Sequence, residues 1–189
     1  MSFKSNIIEK YSPIRLFVNN LKTMKQTLIL TILCLICALG YSQKLAIDSL
    51  TGKYQTIIKM EFDTSTDKTV LYRNVKEWIA INYKSAKDVF QYEDETNYDK
   101  IIAKGTFSTN MFMKEGWINH TMIINFKKGK VRITYKDFSY YSAGSGNINF
   151  EGSMMSKKKI ITETETRIVD SIDSLKKQVL QNKNEEKEW

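Results

Sequence analysis

From Lys53 to Phe62 apolar and polar residues alternate, with Ile58, Met60 and Phe62 on one side and Ile57, Lys59 and Glu61 on the other. That is the period of a half-buried strand. The run Asp63-Thr64-Ser65-Thr66-Asp67 then supplies helix-capping side chains. Leu71, Val75, Trp78, Ile79 and Asn82 follow at helical spacing and predict an amphipathic helix to about Tyr83. Asp88 to Asp94 reads as a second strand with Phe90 and Tyr92 on one side, and Lys100 to Phe107 as a third. Trp117–Phe126 and Val131–Tyr141 flank Lys127-Lys128-Gly129-Lys130, a hairpin turn in which Gly129 supplies a positive φ. Ile161, Ile168, Ile172, Leu175 and Val179 mark one face of a last helix over about 162–182, with Thr162 and Glu165 as a capping box. Ser142–Gly152 reads as a flexible connection, and residues 183–189 as a frayed charged tail.

Turning the apolar side of every strand inward gives one consistent sheet face. Ile58, Met60, Phe62, Phe90, Tyr92, Ile101, Ala103 and Phe107 join Met122, Ile124, Phe126, Val131, Ile133 and Tyr135 on it. Two amphipathic helices are available to cover this face. The prediction is an α+β fold of two layers, β-α-β4-α, with an antiparallel sheet and both helices packed on one side. The other side then carries Lys59, Glu61, Gln91, Glu93, Lys104, Thr106, Asn125, Arg132, Thr134 and Lys136.

The segment ahead of this domain has a different character. Met24-Lys25-Gln26 leads into an apolar run from Thr27 to Leu39, then Gly40-Tyr41-Ser42. A short basic start, about a dozen apolar residues and small residues before a polar one predict a secretory signal peptide over 24–42. The run is shorter than the ~20 residues of a membrane-spanning helix. Met24 suits an initiator, so residues 1–23 read as an upstream extension, and 43–182 as one domain. Cys34 and Cys37, the only cysteines, lie inside the apolar run, so the predicted mature chain has no thiol for catalysis, zinc or a disulfide. Losing 1–42 removes Lys4, Lys10, Arg15, Lys22, Lys25 and Glu9, which lowers the net charge from +8 to +4.

Candidate chemistry is sparse. Glu93, Asp94 and Glu95 form an acidic cluster suited to acid–base work or a hard cation, yet strand alternation sends Asp94 to the opposite side from its neighbours. His120 is the only histidine and reads as a surface or sheet-edge residue without a second imidazole to share a metal. Gly144-Ser145-Gly146 lacks the lysine of a phosphate-binding loop. Met111, Phe112, Met113 and Trp117 surround a loop that would ordinarily be polar, and they form a candidate contact hairpin.

Tyr54–Phe62, the helix Leu71-Tyr72-Arg73-Asn74-Val75-Lys76-Glu77-Trp78-Ile79, Ile101-Ile102-Ala103-Lys104-Gly105 and Phe126-Lys127-Lys128-Gly129-Lys130-Val131-Arg132 together resemble a bacterial family, the domain of unknown function 4468. The similarity covers about Lys53 to Tyr141 and implies a TBP-like fold in a Gram-negative envelope. It implies no activity and no functional residues. The expected role is a non-catalytic binding or accessory module in the periplasm or envelope, without a membrane span after signal cleavage. Its candidate binding face is Lys59, Glu61, Gln91, Glu93, Lys104, Arg132 and Lys136, its partner an envelope protein or glycan, and no cofactor or metal is expected. The competing reading is a carboxylate-based hydrolase of envelope polymers using Glu93 or Glu61. Nucleic-acid binding ranks lower, because four basic residues set against two glutamates, with no aromatic among them, make a weak footprint.

Overall fold

The computed structural model describes residues 44–83, 86–110, 115–144 and 146–188, with backbone alone for 86–87 and 183–188. The extension 1–23, the signal segment 24–42 and the hairpin residues Met111, Phe112 and Met113 lie outside the described residues.

The elements in chain order are β1 (Ala46–Ile47), β2 (Tyr54–Glu61), α1 (Lys68–Asn82), α2 (Ala86–Val89), β3 (Phe90–Glu93), β4 (Lys100–Thr109), β5 (Gly116–Lys127), β6 (Lys130–Ser142), β7 (Gly146–Asn149) and α3 (Lys157–Glu188). All strands join one antiparallel sheet in the order β1-β2-β6-β5-β4-β3, and β7 extends it beside the far end of β6. The α+β, two-layer arrangement follows the sequence pattern, with β1 and β7 added to the expected strands.

Helix α1 starts at Asp67, whose carboxylate accepts from the Thr69 amide at 3.2 Å. Its buried stripe is Leu71, Tyr72, Val75, Trp78 and Ile79. Helix α3 buries Ile160, Ile168, Ile172, Leu175 and Val179. The two lie side by side on the sheet, joined where Trp78 Nε1 donates to Ser174 Oγ at 3.2 Å. Beneath them Ile101, Ala103, Met122, Ile124, Ile133 and Tyr135 are fully buried. Each large side chain so buried contributes roughly 1.5–3 kcal/mol, which is how the layer holds without a disulfide.

The β5–β6 turn is clamped from the side. Gly129 has φ +66°, donates to the Thr66 carbonyl at 3.1 Å and accepts from the Phe62 amide at 2.8 Å. A Cβ there would meet Thr64 Cα at 3.0 Å, so both the backbone angle and the space require glycine.

Four local expectations change. Helix α3 begins at Lys157, where the Ser156 carbonyl accepts from the Lys159 and Ile160 amides, so Thr162 and Glu165 lie inside it rather than at its cap. The buried face begins at Ile160 and Thr164, positions masked in the sequence by three lysines. Glu165 instead accepts from the Leu45 amide at 2.8 Å and ties down the residue preceding β1. The backbone stays helical to Glu188 where a tail was expected. Ser142–Gly152 is no loose connection: β7 pairs with β6, and the fully buried Phe150 stacks on Phe138 with centroids 5.4 Å apart. Finally, Ala86–Val89 is helical, which shortens the second strand to Phe90–Glu93.

Candidate functional site: the open face of the sheet

Among the described residues no element lies over the side of the sheet opposite the helices. Strand register arranges its side chains in transverse rows. Lys59, Arg132, Asn125 and Lys100 are successive partners across β2, β6, β5 and β4. The next row is Ile57, Thr134, Ile123 and Ile102, ending on Tyr92 of β3. Beyond it come Gln55, Lys136, Thr121 and Lys104. At one end Glu61, Lys130 and Lys127 complete the surface, and at the other Trp117 packs on Tyr141 with centroids 5.5 Å apart.

Most of the sequence-derived binding residues are here. Lys59, Glu61, Lys104 and Arg132 are exposed and Lys136 is half-buried, all on the open side. Lys130 pairs with Glu61 at 2.8 Å, Arg132 donates to Asn125 at 3.1 Å, and Lys136 lies 3.6 Å from Asp137. Lys59 and Lys104 have no carboxylate partner among the described residues. A groove of ≈ 610 Å³ lies at the Lys127–Lys130 end, lined by Lys59, Lys127, Lys130 and Arg132 with Glu61 and Asp99.

Glu93 does not belong to this face. The register shifts between Phe90 and Tyr92, so Gln91 is a surplus residue and Glu93 turns to the helix side, opposite Ile101. There it pairs with Lys76 of α1 at 2.6 Å, and Lys76 also holds Glu95 at 2.8 Å. Hydrogen bonds to Glu93 and then Glu95 push the lysine's pKa up. The same shift turns Tyr92 outward, where it is 50% exposed, against the expectation that it joins the core. Glu61 and Glu93 therefore sit on opposite sides of the sheet, on β2 and β3, with β6, β5 and β4 between them. They do not converge on one site. Among the described residues no group of three His, Cys, Asp or Glu side chains is placed to hold a metal ion.

The outward set expected from the sequence also left out part of the basic and apolar content of the face. Lys100, Lys127 and Lys130 add to Lys59, Lys104, Arg132 and Lys136, while Glu93 leaves. Ile57, at 51% exposure, the half-buried Ile123 and Ile102, and Tyr92 form a mainly apolar row, interrupted by Thr134, on a side expected to be polar. The available signal was that Ile57, Ile102 and Ile123 each fall out of phase with the inward set. Of the candidate hairpin, only Trp117 is described, half-buried on the open side.

His120 is a second correction. It is not at an edge but inside β5, 2% exposed, stacked on Phe107 with centroids 4.1 Å apart. Its Nε2 lies 3.5 Å from the Tyr83 hydroxyl and its Nδ1 3.4 Å from the Ile118 carbonyl, both at the weak limit of hydrogen bonding. Burial pushes its pKa down to about 3, which keeps the ring neutral. Gly105 makes room for it, because a Cβ there would lie 2.4 Å from Tyr83 Cε1 and 2.5 Å from His120 Nε2. A neighbouring crevice of ≈ 280 Å³ between α1, α3 and β4 is lined by Tyr83, Phe107, Arg167, Asp170 and Ser171. Among the described residues no carboxylate pairs with His120, whose one titratable neighbour at hydrogen-bond range is the Tyr83 hydroxyl, and Tyr135 shares a 3.1 Å hydrogen bond with Ser171.

Comparison with known proteins agrees with this architecture. A TBP-like protein from Parabacteroides distasonis superposes with a TM-score of 0.53 at 12% identity, over 69% of this chain and 97% of its own. A protein of the DUF4468 family from Bacteroides ovatus gives 0.52 at 12% identity, over 70% and 93%. At this identity the likeness is one of fold. No curated protein matches the chain. The family model described as a domain of unknown function with TBP-like fold matches residues 54–141, the stretch from the start of β2 through Tyr141 of β6. The chain carries a DUF4468 domain with a TBP-like fold.

Proposed function

We propose that this protein is an exported, non-catalytic binding module of a Gram-negative cell envelope, and that its ligand meets the open face of the sheet. The observation that carries the reading is the uncovered row of Ile57, Ile123, Ile102 and Tyr92, bordered by cations on both sides. Isoleucines on the open side favour the strand and pair across it, as Ile102 does with Ile123. Their contiguity with Ile57 and Tyr92, however, makes a patch whose burial by a ligand would add apolar stabilisation. Export rests on the signal pattern of residues 24–42, and a partner in the envelope follows from that destination.

The test is capture from a native envelope fraction by wild-type protein, by a Lys59→Glu/Arg132→Glu variant, and by a Lys176→Glu control on the outer side of α3. Capture is expected to be lost in the double variant alone. Equal capture by wild type and the double variant, or loss in the Lys176→Glu control, would overturn the open face as the binding surface.

A further inference from the structure

We propose that the occupant of the open face is an acidic amphipathic helix of a partner protein, lying across the strands along the row from Ile57 to Tyr92. The proposal rests on the reading of that face as the binding surface and adds the ligand class. Its basis is the cross-section of the face: apolar in the middle, cationic on both flanks.

Register fixes the dimensions. The row crosses β2, β6, β5, β4 and β3. At about 4.8 Å between neighbouring strands its ends are about 19 Å apart. A helix rising 1.5 Å per residue covers that span in about 13 residues, a little under four turns. The flanking rows stand two residues away along each strand, about 7 Å to either side. That offset is close to the radius of a helix with its side chains, roughly 5–6 Å. Lys59, Arg132 and Lys100 therefore stand beside one flank of such a helix, and Lys136 and Lys104 beside the other. A stripe of apolar residues at three- and four-residue spacing with carboxylates on both borders matches this surface.

Other occupants fit less well. An added strand pairs at a sheet edge, not on its face. A helix parallel to the strands would cross cationic, apolar and cationic rows in turn, with no continuous stripe beneath it. Single-stranded nucleic acid uses stacked aromatic platforms, whereas the centre of this row is isoleucine and threonine, with its one aromatic at the β3 end.

The experiment uses the full-length protein and a synthetic 14-residue peptide with a leucine stripe bordered by glutamates. A scrambled peptide of identical composition and a 20-base-pair DNA duplex serve as comparison probes. Isoleucine-methyl NMR locates binding and fluorescence titration measures it. The expected result is perturbation of the Ile57, Ile102 and Ile123 methyls with Ile168 and Ile172 unmoved. At least tenfold weaker binding is expected for the scrambled peptide, and again for the striped peptide with Ile57→Glu or Lys104→Glu. No binding at millimolar peptide, equal affinity for the scrambled sequence, tighter binding of the duplex, or perturbation elsewhere would each overturn the proposal. If the striped peptide fails while Lys59→Glu/Arg132→Glu still abolishes envelope capture, the helical ligand falls and the open-face reading survives. If both fail, both fall.

Discussion

His120 shows what one residue costs and permits in this core. Its imidazole is neutral in the folded chain with a pKa near 3, against an ordinary value near 6.5. A pKa depressed by folding means that the unfolded chain binds the proton more readily. The contribution is therefore complete above pH 6.5 and is lost as the pH falls from there toward 3, by about 1.4 kcal/mol per unit. Urea denaturation at pH 7 and pH 4.5 should show wild type losing about 2–3 kcal/mol more than His120→Phe. Equal losses would show that the histidine is not kept neutral. Gly105→Ala drives a methyl into the same two rings and should cost at least the ~1–3 kcal/mol of an overpacked core. Tyr72 behaves oppositely. Its hydroxyl is buried without a hydrogen-bond partner among the described residues, and burial pushes its pKa up to about 12. Tyr72→Phe keeps the ring contacts with Tyr98 and Phe126 and removes an unsatisfied donor, so midpoint urea concentration should stay level or rise. A fall of more than ~1 kcal/mol would mean that the hydroxyl has a bound partner.

At the scale of elements, capping and alternation decide how much is readable. Asp67→Ala deletes the side-chain acceptor at the start of α1 and should cost ~1 kcal/mol in the same urea assay, with Asp67→Asn nearly neutral. That cap, the α1 stripe and the β5–β6 turn were legible because each depends on residues within one or two turns of chain. The buried faces of β2, β4 and β5 were legible because their alternation is unbroken. Glu93 and Tyr92 were misplaced because a bulge is a property of a strand pair, and nothing in Phe90-Gln91-Tyr92-Glu93 alone announces it. β6 contains a second break: Val131, Ile133 and Tyr135 point inward, and beyond Asp137, with φ +55°, it is Phe138 and Tyr140 that do. His120 was misread because its burial comes from the rings of Tyr83, Phe107, Tyr135 and Phe138, which three separate segments bring to it. The apolar row of the open face belongs to the same class, since it exists only through the register of five strands.

For the whole molecule the one-sided sheet is what matters. Two helices seal one side, and the other presents seven basic side chains with little acid among them, a distribution that the net charge of +8 does not disclose. Binding of any anionic ligand there should weaken as salt rises, because exposed charges are screened within a Debye length of about 8–10 Å. If the export signal is cut as its small residues suggest, mass spectrometry of the natural protein should find a mature chain beginning at Gln43, two residues ahead of the Leu45 amide that Glu165 holds. A start at Met1 or Met24 in the mature protein would refute export by this signal. The two bulges carry an evolutionary consequence. Elsewhere in a sheet, losing a single codon inverts every side chain downstream. At Gln91 or Asp137 the loss only restores regular pairing, with the following residues facing as before. Kindred sequences should therefore differ in length by one at these two places, while gaps within the unbroken stretches of β4 and β5 stay rare.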